Sequence, residues 1–368
     1  MKTARFTIYY LMISAIFLSR LIEKDANSMC LRSKNVSGGE DHTMVLTENG
    51  LIFTCGLDSV YGFYSGALGI GTFSGSYKDT LFQVLDGTMQ TDSGYLENIA
   101  GIAAGWTHSL ARDEDGFVWA WGGNLNGQLG DNQDSGNYSN EPVQVLSGEQ
   151  NPTSDPNDPL YIEFLQDIVN LAAGRSGKHS LAVDKYGLTW SWGINTYGQL
   201  GCGDTVTRYV PVAVYSGEQN PTQEPNQLSH IIQVSAGAYH SMALEDPNQG
   251  AGVYTFGCNY SGFGGGLLGV GKDVYELFQV TKPVKVLSGV QSEEPNRNLQ
   301  NIVSISAGWH PLRFVRSQYL LLHRRLQSAQ HLLRTIRTDD YQLPAGTQRP
   351  RHPLRSSRPQ YPPLHPPR

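Results

Sequence analysis

Polar and apolar residues alternate along short stretches of this chain, and glycine interrupts the alternation at regular places. His-Ser-Leu-Ala-Arg-Asp at 108–113 and His-Ser-Leu-Ala-Val-Asp at 179–184 alternate as half-buried strands do. Asp115-Gly116 and Tyr186-Gly187 follow as turns that call for a positive φ. The next strand carries two large side chains two positions apart: Trp119 with Trp121, Trp190 with Trp192, Tyr254 with Phe256. Phe53 and Cys55 take those places in an earlier stretch. Period-two spacing puts each pair on one side of its strand. Gly56, Gly122, Gly193 and Gly257 close these strands, and Gln-Leu-Gly turns follow at 128–130 and 199–201. Segments beginning at Pro142, Pro211 and Pro283 read as edge strands that open on proline.

The pieces recur as a unit. The first-strand glycines Gly39, Gly105, Gly174, Gly237 and Gly308 are separated by 66, 69, 63 and 71 residues, and His42, His108, His179 and His240 by 66, 71 and 61. A period of this length marks a repeat architecture in which each unit is a small sheet of about four strands. One such sheet cannot bury both faces, whereas sheets packed face to face can. The combination of Ala-Gly-x-x-His-Ser-Leu with Trp-Gly-x-Asn-x-x-Gly-Gln-Leu-Gly resembles the regulator-of-chromosome-condensation repeat, and the resemblance covers Val36 to Trp309. It implies an all-β fold, with β-propeller blades of four-stranded antiparallel sheets. Most members have seven; here four complete units and the start of a fifth are visible. The expectation is an incomplete propeller of about four to five units with a helical or disordered basic tail.

Composition divides the chain. Residues 311–368 hold 11 Arg, no Lys and two acids, a net of +9; the rest holds 16 bases and 31 acids, a net of −15. Three regions follow: an N-terminal segment at 1–30, propeller repeats at 36–310, and a basic Pro/Arg-rich tail at 311–368. The start, Met1-Lys2 before an apolar run from Phe6 to Leu18, has the form of a secretory signal, which favours a secreted or cell-envelope location over the cytoplasm. The tail reads either as a shifted frame or as a basic amphipathic helix. Val315, Tyr319, Leu322, Leu326, Ala329, Leu333 and Ile336 stand at helical spacing, a form that suits an acidic surface or anionic lipid. Spacers starting at Ser147, Ser216 and Ser288 are rich in Pro, Asn and Glu and read as exposed loops.

Candidate chemistry is thin. A catalytic group is needed once, whereas the four histidines recur at one place per unit. Gly39, His42, Gly105, His108, Gly174, His179, Gly237 and His240 are therefore assigned as structural repeat positions, with each imidazole a packing or hydrogen-bonding post inside its own blade. No catalytic residue, metal site or cofactor is expected. Cys30, Cys55, Cys202 and Cys258 form no Cys-x-x-Cys pair and read as buried free thiols. The glycine-rich stretch Gly262–Gly266 lacks the Lys-Ser/Thr of a phosphate loop.

Binding is assigned to the variable positions between each glycine and its histidine: Glu40, Asp41, Trp106, Thr107, Arg175, Ser176 and Tyr239, with Trp309 in the fifth unit. Variation in a fixed frame is how repeat scaffolds present a surface. Gly105 to Ser109 resembles a stretch of plant ultraviolet-B photoreceptors, but Thr107 replaces its Arg. The expected role is a binding scaffold for a protein partner, with self-association as a further option and no nucleic acid on the acidic repeats. Guanine-nucleotide exchange on a small GTPase, which the resemblance implies for the founding member, and carbohydrate or cell-surface binding through Trp106 and Trp309 are the alternatives.

Overall fold

The computed structural model describes residues 33–308, apart from 61–62, 73–76, 134–137, 221–225, 251, 261–265, 273–276, 289–297 and 300, together with strand 313–316. The segment 1–30, Trp309 and most of the tail lie outside the described residues. The first sheet contains β1 (Ser33–Gly38), β2 (His42–Thr47) and β3 (Ile52–Leu57). The short pair β4 (Ser59–Val60) and β5 (Phe63–Tyr64) follows, and β6 (Tyr77–Gln83) completes the sheet. The second sheet is β7 (Ile99–Ala104), β8 (His108–Asp113), β9 (Val118–Gly123) and β10 (Tyr138–Gln144). The third is β11 (Ile168–Ala173), β12 (His179–Asp184), β13 (Thr189–Gly193) and β14 (Arg208–Ala213), and the fourth β15 (Ile231–Ala236), β16 (His240–Glu245), β17 (Val253–Cys258) and β18 (Gln279–Lys285). β19 (Ile302–Ser306) and β20 (Arg313–Arg316) form a two-stranded fifth sheet. All four complete sheets are antiparallel and in chain order, as propeller blades are.

The core lies between sheets rather than within one. Met44, Leu46 and Ile52 of the first sheet pack with Ala111, Trp119 and Trp121 of the second. Leu110, Val118 and Ala120, on the other face of that second sheet, pack with Ala182, Trp190 and Trp192 of the third. Consecutive side chains of β8 therefore serve different neighbours, and the strand is buried on both sides. The same holds for β12 and β16, so the half-buried strands read from the alternation are fully buried ones.

Four other sequence expectations are corrected. The strand-closing glycines lie inside or at the end of their strands, with φ of 102° at Gly122 and 106° at Gly257. A Cβ at Gly122 would stand 2.4 Å from the Thr107 carbonyl, which explains the glycine. Pro142, Pro211 and Pro283 lie within β10, β14 and β18 instead of opening them, on outer strands where a missing N–H is tolerated. Val315, placed on a helix by its spacing, lies in β20 opposite Ser304, because the β19 edge offers a ladder of hydrogen bonds. The spacers from Ser147 and Ser216 begin as docked 3-10 turns, while the one from Ser288 runs outside the described residues. At Gly148–Gln150 and Gly217–Gln219 the turn lies against the next outer strand, where the Glu149 carboxylate accepts from the Ala213 N–H at 2.8 Å and Glu218 from the Lys285 N–H at 2.8 Å.

Candidate interaction surface

Because strands alternate in direction, the turn between the first and second strand of each blade and the loop between the third and fourth share one end of the blade. Glu40, Asp41, Trp106, Thr107, Arg175, Ser176 and Tyr239 all lie in the first kind of turn. Neighbouring turns touch. A Cβ on Gly39 would meet the Gly105 carbonyl at 2.5 Å, and one on Gly174 the Gly237 carbonyl at 2.7 Å, so glycine permits the close approach.

Three of the candidate residues come together although 136 positions separate their turns: Ser176 Oγ donates to Glu40 Oε2 at 3.0 Å, and Arg175 Nε donates to the Gly39 carbonyl at 3.3 Å. Partial burial, with Glu40 beside it, raises the pKa of Asp41. Trp106 lies under a cation, with Lys178 Nζ 4.9 Å from its ring centroid. Thr107 faces inward, 3.5 Å from the Gln128 side-chain nitrogen.

Tyr239 belongs to a second group. Its ring meets Tyr197 edge-on at 5.3 Å; Tyr197 meets Phe278 at 6.0 Å, and Phe278 stacks on Tyr260 at 6.2 Å. Tyr239, Tyr260 and Phe278 remain 43%, 43% and 48% exposed. Of these four rings the sequence singled out only Tyr239. Comparing the loops after Asn124, Asn195 and Asn259 position by position would have shown Tyr197 and Tyr260 as variable residues; Phe278 carries no repeat signal.

The repeated histidines do something else. His42 Nε2 lies 3.0 Å from Ser109 Oγ, and His179 Nε2 lies 2.9 Å from Ser241 Oγ. Each bond joins one sheet to the next, which corrects the reading of a post inside each blade. Burial holds the imidazoles neutral, with pKa values lowered to about 4 for His42 and His240 and about 3 for His108 and His179. Cys202 and Cys258 are buried and Cys55 half-buried, each as a free thiol. Among the described residues no three His, Cys, Asp or Glu side chains gather to hold a metal ion.

The regulator of chromosome condensation (RCC1) repeat matches residues 186–244, and a second form of the same repeat matches 99–128. The chain carries regulator of chromosome condensation repeats. It is 30% identical over 229 residues to the probable E3 ubiquitin-protein ligase HERC6 of Homo sapiens, covering 62% of this chain and 18% of that protein. It is 26% identical over 279 residues to the ultraviolet-B receptor UVR8 of Arabidopsis thaliana, covering 76% of this chain and 50% of the receptor. The RCC1-repeat chain thus spans half or less of the length of these relatives. Among solved structures, human WBSCR16 superposes with a TM-score of 0.56 at 20% identity, over 80% of this chain and 60% of that one. That likeness concerns the fold.

Proposed function

We propose that this chain is a non-catalytic scaffold that presents the loop end of its blades to a protein partner. One contrast carries the reading. At each turn the recurring histidine is buried, and three of the four are spent on a bond to the next blade. The positions just before them differ from blade to blade and reach solvent at Glu40, Asp41, Arg175 and Tyr239. A fixed frame with varied exposed residues supports recognition rather than a reaction, and large aromatic and arginine side chains there are of the type that dominates interface energetics.

The test places a photo-crosslinking residue at position 239 and, as a control, at position 186 in a turn of the opposite end. The partner captured from position 239 is then purified and its affinity measured. Tyr239→Ala should weaken binding at least tenfold. Capture only from position 186, an unchanged affinity for Tyr239→Ala, or release of nucleotide from purified small GTPases would overturn the proposal.

A further inference from the structure

We infer that the aromatic group Tyr197, Tyr239, Tyr260 and Phe278 is a docking surface for a basic, Lys- or Arg-bearing segment of the partner; this rests on the binding-scaffold reading above. The four rings come from three loops on two adjacent blades, Tyr260 and Phe278 from the same one. They are 5.3, 6.0 and 6.2 Å apart in sequence along the group, and three of them are more than two-fifths exposed. Such a group is costly to leave in water and is not needed for the core, which the two blades already fill with Leu181, Val214, Tyr254 and Phe256.

Two observations select the occupant. Elsewhere this protein covers aromatic rings with its own cations: Lys78 lies over Phe82, Lys178 over Trp106, Lys185 over Tyr186 and Lys282 over Tyr215, at 4.9 to 5.6 Å. Among the described residues no Lys or Arg lies over Tyr239, Tyr260 or Phe278, so no described cation of this chain occupies the exposed parts of these rings. The second is charge. Residues 1–310 carry 16 bases and 31 acids, a net of −15 that the tail reduces to −6 for the full chain, and this balance favours a basic segment over an acidic one before contact. The exposed rings then supply the local grip, and the field supplies the encounter.

Calorimetric titration of the full chain with an arginine–glycine repeat peptide tests this, with polyproline and poly-glutamate as comparison probes. The basic peptide should bind and the other two should not. Tyr260→Leu combined with Phe278→Leu keeps apolar cover but removes two π faces, and should weaken the basic peptide about five- to thirtyfold. Tyr186→Leu, whose ring already lies under Lys185, should leave it unchanged. Equal binding of polyproline, or an unweakened double variant that melts like the parent, would overturn the inference. If the partner captured from position 239 proves acidic at its contact, the inference falls while the scaffold reading stands.

Discussion

His108 Nε2 lies 3.1 Å from the Oγ of Ser180, a residue 72 positions later and in the next blade. The Ser180 hydroxyl donates its own hydrogen to the Gln128 carbonyl at 2.9 Å, so the imidazole has to be the donor in the Nε2–H form. The same relay runs from His42 through Ser109 to the Ala67 carbonyl, and from His179 through Ser241 to the Gln199 carbonyl. Trp121 and Trp192 donate to the Ala67 and Gln128 carbonyls as well, each at 2.9 Å. One loop carbonyl thus ties two side chains of the following blade. The latch explains why a polar pair recurs in the middle of an apolar layer.

Removing the acceptor should be costly. Ser180→Ala leaves a buried N–H without a partner and should lower stability by about 1–3 kcal/mol, read from urea unfolding. Ser180→Thr, the residue type at Thr43, should retain most of it. His240 is the exception among the four: both its ring nitrogens lack a partner, and counting on from Gly308 puts Leu312 where a serine would stand. His179→Leu should therefore destabilise clearly, while His240→Leu should be neutral or stabilising. Equal losses in the two variants would contradict the latch.

The same imidazoles give the fold an acid limit. All four have folded-state pKa values of about 3 to 4, below the ordinary 6.5, so the folded protein binds fewer protons than the unfolded chain between those limits. Stability is fully present above pH 6.5 and declines as pH falls below it, by up to about 1.4 kcal/mol per pH unit for each imidazole. Chemical unfolding from pH 8 to pH 5 should show a plateau and then a steep fall. His179→Leu should make the fall shallower, and an unchanged slope would exclude its imidazole from the linkage.

What was legible in the sequence was what recurs. Gly105 with His108 and Trp119 with Trp121 announce a blade because the chain repeats them. Periodicity, however, assigns a side chain to a face and not to a neighbour, and a propeller strand has a neighbour on each face. That is why spacing alone puts the histidine bond inside the blade. The aromatic group was invisible for the opposite reason, since residues 197, 239, 260 and 278 recur nowhere and only folding brings them together. The spacers misled through composition: Pro, Asn and Glu suggest a solvated loop, yet Ser-Gly-Glu-Gln, identical at 147–150 and 216–219, is a docking turn.

That turn leaves no room for a side chain at its glycine. Gly148 has a φ of 54°, and a Cβ there would stand 2.0 Å from the Pro211 carbonyl; Gly87 and Gly217 repeat the approach against Pro142 and Pro283. Gly148→Ala should cost about 1–3 kcal/mol from left-handed backbone strain alone, and more once the turn is pushed off its strand. Hydrogen exchange at the Ala213 amide, which Glu149 accepts, should rise with it. A variant as stable as the parent would show that the turn is not docked in solution.

A second pairing varies in step from blade to blade. The Asp113 carboxylate accepts from Trp119 Nε1 at 3.0 Å, and Asp184 from Trp190 Nε1 at 3.0 Å. In the fourth blade Glu245 and Tyr254 take the two places, and burial together with the Glu245 charge pushes the Tyr254 phenol well above its usual pKa. In the first blade the aromatic residue is Phe53, which has no donor, and the carboxylate is replaced by Thr47, whose hydroxyl turns to Leu51. Aromatic donor and carboxylate are present together or absent together. Trp190→Phe alone leaves Asp184 Oδ2 without its donor while Oδ1 keeps the Tyr186 and Leu188 N–H groups, and Asp184→Thr alone strands an indole N–H, so each should cost about 1–3 kcal/mol. The double variant restores the combination of the first blade and should cost less than the sum of the two, by about 1 kcal/mol or more. Additive losses in a double-mutant cycle would mean that the two side chains are not coupled.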